Sequence, residues 1–343
     1  MTAKRKAQLH GNPPVEPVDV IIPTYNGLPY LKQTIDSVLT QTYDNLHVYV
    51  IDDGSTDNSA TKKYVESITD PRLHYAHKAN GGQATARNYG IRISSSPFVT
   101  FVDSDDIWYP NKLEEQLACF NHKPLAGMVY GYSRLIDASG NPNKARATVA
   151  YDKRGYLFKY LLKGNKISGS ASMAMVRREV FDKIGLFKED FLIGEDWEMW
   201  LRIARSYEID YVPKFLVGIR ILDTGMQQNH LKIARGLDYM LPILIEEFRL
   251  GPLDKAIIGT TCLSQACVLY FKGGDRKAAR TTFFAMLRYN PLAMFSMGRE
   301  DWLICLRIVF GNNWLRSVRR KLSTNYRQRE AEEESIGNNR SND

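Results

Sequence analysis

The fold of this chain is constrained most by a repeated arrangement in which a short apolar run ends in a polar cluster. The three clusters occupy residues 23–26, 52–57 and 103–106. Each apolar run is rich in β-branched and aromatic residues and predicts a buried strand, while the segments between the runs show helical spacing. Alternating strands and helices are typical of an α/β protein with a mostly parallel sheet flanked by helices. Because such sheets bind ligands at the carboxyl ends of their strands, we expect the clusters to form one nucleotide site.

The third cluster carries three carboxylates, Asp103, Asp105 and Asp106, directly behind the strand predicted over residues 98–102. Side chains at positions i and i+2 of an extended chain point the same way, so Asp103 and Asp105 can face one ligand. Carboxylate oxygens suit Mg²⁺ or Mn²⁺ held together with the phosphates of a substrate. The glycine patterns of the Walker A and dinucleotide-binding loops are missing, which favours neutralisation of phosphates by a metal. The alternative is a solvated acidic turn that caps the helix beginning near Pro110.

Composition argues against several classes of protein. An apolar content of 44%, a charged content of 24% and a formal net charge of +8 are ordinary for a globular protein. The sequence has no run of 18 apolar residues, no signal-peptide pattern, and four cysteines without zinc or disulfide spacing. We therefore expect a cytoplasmic protein without a transmembrane helix. Basic residues are not interleaved with aromatic ones, so no nucleic-acid partner is expected.

A second pair of carboxylates, Glu195 and Asp196, opens a strongly amphipathic helical segment. Acidic residues in a first helical turn are stabilised by the helix dipole, which explains the pair without any function. In the functional interpretation, a carboxylate near a bound phosphate takes the proton from an attacking hydroxyl group. We favour this interpretation for Asp196 because the three polar clusters predict a phosphate site in the same domain.

Five motifs in this order resemble the signature of glycosyltransferase family 2. They are IIPTYN at 21–26, IDDGSTD at 51–57, GGQATARNYG at 81–90, DSDD at 103–106 and GEDW at 194–197. The resemblance implies the GT-A fold and inverting transfer of a sugar from a nucleotide-diphosphate donor, commonly a UDP-sugar. Processive relatives carry a QxxRW motif and several transmembrane helices. This sequence has neither, so transfer of single sugars is expected.

The resemblance assigns a donor-binding role to Pro23, Tyr25, Asn26, Asp53, Arg87, Asp103 and Ser104. Tyr25 would stack on the nucleotide base, and Asn26 would shape the same loop. Asp53 would form a hydrogen bond with the edge of the base. Arg87 would lie on the donor side, or would instead be a structural partner of Asp53 or Asp103.

The resemblance also implies a divalent metal, Mn²⁺ or Mg²⁺, bound by Asp103 and Asp105, with Asp105 in direct contact. It further implies that Asp196 is the catalytic base, with Glu195 beside it. The metal would then stabilise the departing diphosphate of the donor, and the base would take the proton of the acceptor hydroxyl.

One position departs from the family pattern. Many relatives continue after the base helix into a Tyr-Arg-x-His segment, whose histidine contacts the metal or the diphosphate. The matching stretch here ends in Leu222. Asp223 or His230 would have to substitute, so the sequence leaves the third ligand open.

The predicted domain boundaries are a disordered leader at 1–17, a GT-A catalytic domain at 18–225, a helical extension at 226–322 and a disordered tail at 323–343. Within the catalytic domain, residues 18–110 would bind the nucleotide and residues 111–225 would supply the acceptor side and the base.

The helical extension matches one tetratricopeptide repeat at Tyr270, Gly274, Ala279, Phe283 and Pro291. A solenoid needs about three repeats, so a single helical hairpin docked on the catalytic domain is expected. The segment 301–322 mixes apolar and basic residues. It suits either peripheral contact with a membrane or packing on its own domain.

The sequence thus predicts a metal-dependent glycosyltransferase that acts on a glycan or lipid-linked glycan in cell-surface polysaccharide synthesis, at the inner face of the membrane. One rival is a sugar nucleotidyltransferase, which would need a basic, glycine-rich loop after the first strand. The loop at 23–27 has no basic residue. The other rival is a catalytically silent binding or scaffold protein, which the intact acidic motifs disfavour and the missing histidine keeps open.

Overall fold

The protein divides into two compact units, Met1–Gln228 and Asn229–Asp343. The computed structural model describes residues 16–142, 151–167, 170–191, 193–222, 225, 228–293, 301, 303–305 and 307–308. The predicted tail, Asp223 and all of the predicted leader except positions 16 and 17 lie outside these residues. So does most of the C-terminal segment predicted to contact a membrane.

The first unit is built on an eight-stranded sheet with the order β3-β2-β1-β4-β7-β6-β8-β5. Its strands are β1 (Val18–Thr24), β2 (Leu46–Asp52), β3 (Leu73–His77), β4 (Phe98–Phe101), β5 (Ile107–Trp108), β6 (Ala126–Ile136), β7 (Met175–Arg177) and β8 (Glu208–Arg220). β1 pairs in parallel with β2 and β4, β2 with β3, and β6 with β8. β7 is antiparallel to β4 and β6, and β5 is antiparallel to β8. The predicted mostly parallel α/β sheet is confirmed.

Helices cover the sheet of the first unit. In its described part they are α1 (Leu28–Leu39), α2 (Ala60–Glu66), α3 (Gln83–Ile93), α4 (Lys112–His122), α5 (Phe158–Leu161), α6 (Arg178–Ile184) and α7 (Glu195–Ser206). α3 lies against β1 and β2, and α4 lies against β6 and β8. The approach of α3 is so close that a Cβ atom at Gly90 would come within 2.6 Å of Ile21. This contact brings the start of α3 to the edge where β1 ends.

The first strand is longer than the sequence predicts. A stop was expected at Pro23, but β1 continues through Pro23 to Thr24, paired with β2. The Ile21 carbonyl accepts a hydrogen bond from Val102 on the β4 side, so the nitrogen of Pro23, two residues on, faces that side too. Pairing with β4 ends at Ile21. The missing N–H of Pro23 therefore costs no ladder hydrogen bond.

The segment before β7 also differs from the prediction. The apolar run at residues 173–176 predicts a strand there, but Ala171–Met173 forms a 3₁₀ turn and β7 spans Met175–Arg177. The hydroxyl of Ser170 accepts a hydrogen bond from the Ser172 backbone N–H and starts the turn. Local side-chain bonding by serine favours such turns over extended structure.

The described part of the second unit consists of α8 (His230–Glu247), α9 (Pro252–Lys272) and α10 (Arg276–Tyr289). α9 and α10 form the helical hairpin that carries the repeat-like residues, with Ala279 and Phe283 buried and Gly274 in the turn at φ +86°. Gly259 lets the helices approach, because a Cβ atom there would come within 2.7 Å of Tyr289. Of the helices in the described residues, none combines the length and apolarity needed to cross a bilayer.

Candidate functional site

A cleft of about 870 Å³ opens at the edge of the sheet where β1 and β4 end. Its wall is completed by the start of α3, the start of α7 and the end of β8. All ten residues singled out from the sequence line it: Pro23, Tyr25, Asn26, Asp53, Arg87, Asp103, Ser104, Asp105, Glu195 and Asp196. The structure therefore brings together side chains that are up to 173 positions apart in the sequence.

The loop after β1 is held in place by hydrogen bonds to the segment that follows β2. Asn26 adopts a left-handed conformation with φ +52°, and its side chain both donates to Thr56 Oγ1 and accepts from the Thr56 backbone N–H. The backbone N–H of Asn26 donates to Ser55. Tyr25 is left 51% exposed beside the cleft. An exposed aromatic ring on a fixed loop can stack on a planar ligand.

Asp53 is buried and accepts hydrogen bonds on both carboxylate oxygens. Its donors are the backbone N–H groups of Gly81 and Gly82, at 3.1 Å and 2.7 Å, and the ammonium group of Lys78. Gly82 has φ +93°, a conformation that favours glycine. Asp53 thus fixes the turn that begins α3, in addition to lining the cleft.

Arg87 joins the two sides of the cleft. Its guanidinium group is 1% exposed and donates to Asp103 at 2.8 Å and to Glu195 at 2.7 Å. Burial alone would lower the pKa of Arg87, but these two carboxylates raise it above its ordinary value. Among the alternatives from the sequence, the structure therefore makes Arg87 a partner of Asp103. Asp53 pairs with Lys78 instead.

The three carboxylates after β4 have different surroundings. Asp106 is buried and accepts from the hydroxyls of Ser170 and Ser172 and from the backbone N–H of Arg220. Asp105 is half-buried, and no lysine or arginine of the described residues forms an ion pair with it. Burial and the charge of Asp103 raise the pKa of Asp105 to about 6. Asp106 is therefore a structural anchor, whereas Asp105 lines the cleft without an ion-pair partner among the described residues, and the charge of Arg220 offsets only part of the rise in its pKa.

This excess of negative charge fits a divalent cation. Asp103 and Asp105 offer hard oxygen ligands at the cleft, the donor type that Mg²⁺ and Mn²⁺ prefer. The described residues contain no cluster of three or more acidic, histidine or cysteine side chains arranged around a metal position. Leu222 lines the cleft, His230 begins α8, and Asp223 lies outside the described residues. Within the described residues no third such side chain joins Asp103 and Asp105 around a metal position, so the third ligand stays open.

Asp196 lies in the first turn of α7 and faces the cleft. Its carboxylate accepts from the backbone N–H of Trp197 at 2.6 Å and from the side-chain amide of Asn165 at 3.1 Å. Burial and the neighbouring Glu195 raise the pKa of Asp196 to about 7, against the lowering effect of Arg87. A carboxylate with such a pKa can accept a proton near neutral pH.

Sequence reasoning missed four residues that organise this site. Lys78 pairs with Asp53, Ser172 Oγ accepts from the Asp103 backbone N–H and donates to Asp106, and Asn165 donates to Asp196. Arg220 donates from Nε to the Asp105 carbonyl at 2.7 Å. Only Arg220 lay in a stretch that the sequence singled out. The other three contact residues of the site without lining the cleft, and they lie in segments that carry no periodic signal.

The chain matches the family model described as "Glycosyl transferase family 2" over residues 19–185. It is 34% identical over 207 residues to an "Uncharacterized glycosyltransferase" of Rickettsia felis, across 59% of this chain and 34% of that protein. The chain thus spans about a third of the length of this relative.

A second relative is matched over most of its length. The chain is 32% identical over 198 residues to the "UDP-Glc:alpha-D-GlcNAc-diphosphoundecaprenol beta-1,3-glucosyltransferase WfgD" of Escherichia coli, across 57% of this chain and 72% of that protein. Among solved structures, it resembles S. aureus TarS 1-349 in complex with UDP-GlcNAc, with a TM-score of 0.62 and 15% identity over 88% of this chain and 92% of that one. At this identity the likeness concerns the fold alone.

Proposed function

The chain belongs to glycosyltransferase family 2, and we propose that it transfers a single sugar from a UDP-sugar to a hydroxyl group of a glycan or lipid-linked glycan, with inversion at the anomeric carbon. The observation that carries this proposal is the meeting of two kinds of carboxylate in one cleft. Asp105 lines the cleft without an ion-pair partner among the described residues, where a diphosphate would bind, and Asp196 lines the same cleft with a pKa raised to about 7.

Asp196 is proposed as the general base. In its ionised form it takes the proton of the acceptor hydroxyl as the oxygen attacks the anomeric carbon from the face opposite the leaving diphosphate. The hydrogen bonds from Trp197 and Asn165 hold the carboxylate at the cleft. Glu195 forms an ion pair with Arg87, so it lies beside the general base and does not accept the proton itself.

The donor is proposed to lie along the ends of β1 and β4. Tyr25 stacks on the nucleotide base, and Asn26 holds the same loop through its hydrogen bonds to Thr56. Asp53 lines the part of the cleft where the nucleotide base would lie. Asp103 and Asp105 would hold a divalent metal, Mn²⁺ or Mg²⁺, whose charge stabilises the departing diphosphate. Arg87 keeps Asp103 in place for that contact.

The class of donor and acceptor is supported by the names of the similar proteins. WfgD is named for UDP-glucose as donor and a diphosphoundecaprenol-linked sugar as acceptor, and TarS binds UDP-GlcNAc. We extend this chemistry to the present chain, with a role in cell-surface polysaccharide synthesis. The sugar itself is not specified by the residues that line the cleft.

Nucleotide binding tests the proposal most directly. The melting temperature would be measured with UDP, GDP, dTDP and CDP, each with and without Mn²⁺. We expect stabilisation by UDP that requires the metal, and its loss in Asp105→Asn. Release of UDP from UDP-sugars would then identify the donor. Stabilisation by no nucleotide would contradict the proposal, and stabilisation by another nucleotide alone would correct the donor class.

A further inference from the structure

The loop after α5 approaches the proposed base from the acceptor half of the chain. Its backbone is fixed by Gly164, at φ +123°, whose N–H donates to the Leu161 carbonyl. The buried indole N–H of Trp197 also donates to the Leu161 carbonyl, at 2.8 Å. The loop is thus tied to the first turn of α7, the same turn that carries Asp196.

Asn165 is the residue of this loop that contacts the base. Its Oδ1 accepts from the Ile167 backbone N–H at 3.2 Å, and its Nδ2 donates to Asp196 Oδ2 at 3.1 Å. The acceptor contact fixes the orientation of the amide, so that only the donor end can face Asp196. The other oxygen of Asp196 accepts from Trp197. Both oxygens are therefore oriented, and each keeps a lone pair for a hydroxyl of the acceptor.

We propose that Asn165 is the positioning residue of the catalytic base: it fixes the orientation of the Asp196 carboxylate and stabilises its ionised form by donating a hydrogen bond. The inference rests on the proposed function of Asp196 as base. It adds a residue whose role no sequence motif indicated. A donor to the charged form of a carboxylate favours ionisation and lowers its pKa.

Three charged groups around Asp196 also influence its ionisation. Glu195 and Asp103 disfavour its ionisation, while Arg87 favours it. Arg87 is already shared between the other two carboxylates. Asn165 therefore supplies a neutral donor that belongs to Asp196 alone.

The test compares the pH dependence of kcat/KM for UDP release in the wild type, Asn165→Ala and Asn165→Asp. The alanine variant loses the hydrogen-bond donor to Asp196, so the ascending limb of the pH profile should shift to higher pH by about one unit. The aspartate variant keeps an oxygen for the Ile167 N–H but puts a second carboxylate beside Asp196. Its limb should move up further. Asn229→Asp is the matched control, since it makes the same change at a helix cap that accepts from the Lys232 N–H.

A purely structural role would lower the rate equally at all pH values and leave the limb in place, and this result would overturn the proposal. A second measurement is independent of activity. The pKa of Asp196 would be followed by ¹³C NMR of carboxyl-labelled aspartate, with Asp196→Asn for assignment. Asn165→Ala should raise this pKa even if no donor is ever found. An unchanged pKa would refute the role of Asn165, whereas absent nucleotide binding would refute only the proposed function.

Discussion

The two halves of the cleft hold their functional side chains in different ways. In the proposed donor half, residues 18–110, Asn26 and Asp53 are each fixed by several hydrogen bonds to neighbouring turns. In the described part of the proposed base half, residues 111–225, one side chain forms a hydrogen bond with Asp196, and that residue lies on a loop.

This difference follows from where the residues are placed. The donor side chains lie at the ends of parallel strands, where adjacent turns converge and their N–H groups need acceptors. The base lies at the start of a helix, whose free N–H groups need only a carboxylate in the first turn. Under the proposed function, this difference would preorganise the donor half for a constant ligand, while a change in one loop would retune the base half.

The largest effect is expected from the base itself. Asp196→Asn should lower turnover by about 10³-fold, because a positioned general base contributes 10²–10⁴. Nucleotide affinity should stay within about twofold, since the donor half is untouched. Steady-state rates and calorimetric titration with UDP would measure both.

The matched control is Asp182→Asn, an exposed aspartate on α6. It should change neither quantity. If Asp196→Asn weakened nucleotide binding as much as turnover, the functional division between the halves would be wrong.

The next largest effect is expected where the halves meet. Arg87→Met leaves the half-buried Asp103 and the buried Glu195 without their shared counter-charge, and should cost about 3 kcal/mol in the free energy of unfolding. Adding Glu195→Gln should recover part of this loss. Urea denaturation would measure both variants. Arg92→Met on the same helix removes an exposed ion pair and should cost under about 1 kcal/mol.

A smaller effect is expected at the exposed ring of the donor half. Tyr25→Ala should raise the dissociation constant for UDP about tenfold, because base–aromatic stacking contributes about 1–3 kcal/mol. The maximal rate at saturating donor should change little. Tyr156→Ala removes a ring that is more exposed, at 67%, and should not change the dissociation constant for UDP. A fall in maximal rate without weaker binding of UDP would contradict stacking of Tyr25 on the nucleotide base.

The smallest effect concerns stability against pH. Asp196 has a folded-state pKa of about 7, raised by burial from its ordinary value of 3.8. The folded state thus binds its proton more tightly, and this contribution is present below about pH 4 and lost as the pH rises through 7. Asp196→Asn should therefore melt about 2–4 °C higher than the wild type at pH 8, with little difference at pH 4. Equal differences at both pH values would contradict the raised pKa.

The sequence predicted the donor half well. β-branched runs followed by polar residues identified β1, β2 and β4, and the same pattern placed Asp53, Asp103 and Asp105 at one edge of the sheet. These predictions depend on local periodicity and on the rule that parallel strands end together. Both are readable from a single chain.

The base half could be predicted only in part. The amphipathic pattern identified α7 and hence Asp196, but Asn165 and Ser172 contact residues of the site from segments whose positions are set by tertiary packing. Nor could spacing show that Arg87, on α3, would contact Glu195, 108 positions away. Such contacts between distant segments depend on how α3 and α7 pack, which no local pattern specifies.

The shared guanidinium group of Arg87 has a consequence for exchanging parts between related enzymes. A chimaera joined anywhere between residues 104 and 194 takes Arg87 and Asp103 from one parent and Glu195 from the other. If the second parent has no acid at that position, the hybrid loses one arm of a buried ion network and leaves part of it unpaired. The halves differ in how they are built, yet they are not interchangeable modules. A crossover near residue 80, which keeps all three charges together, should give more active hybrids than one near residue 150.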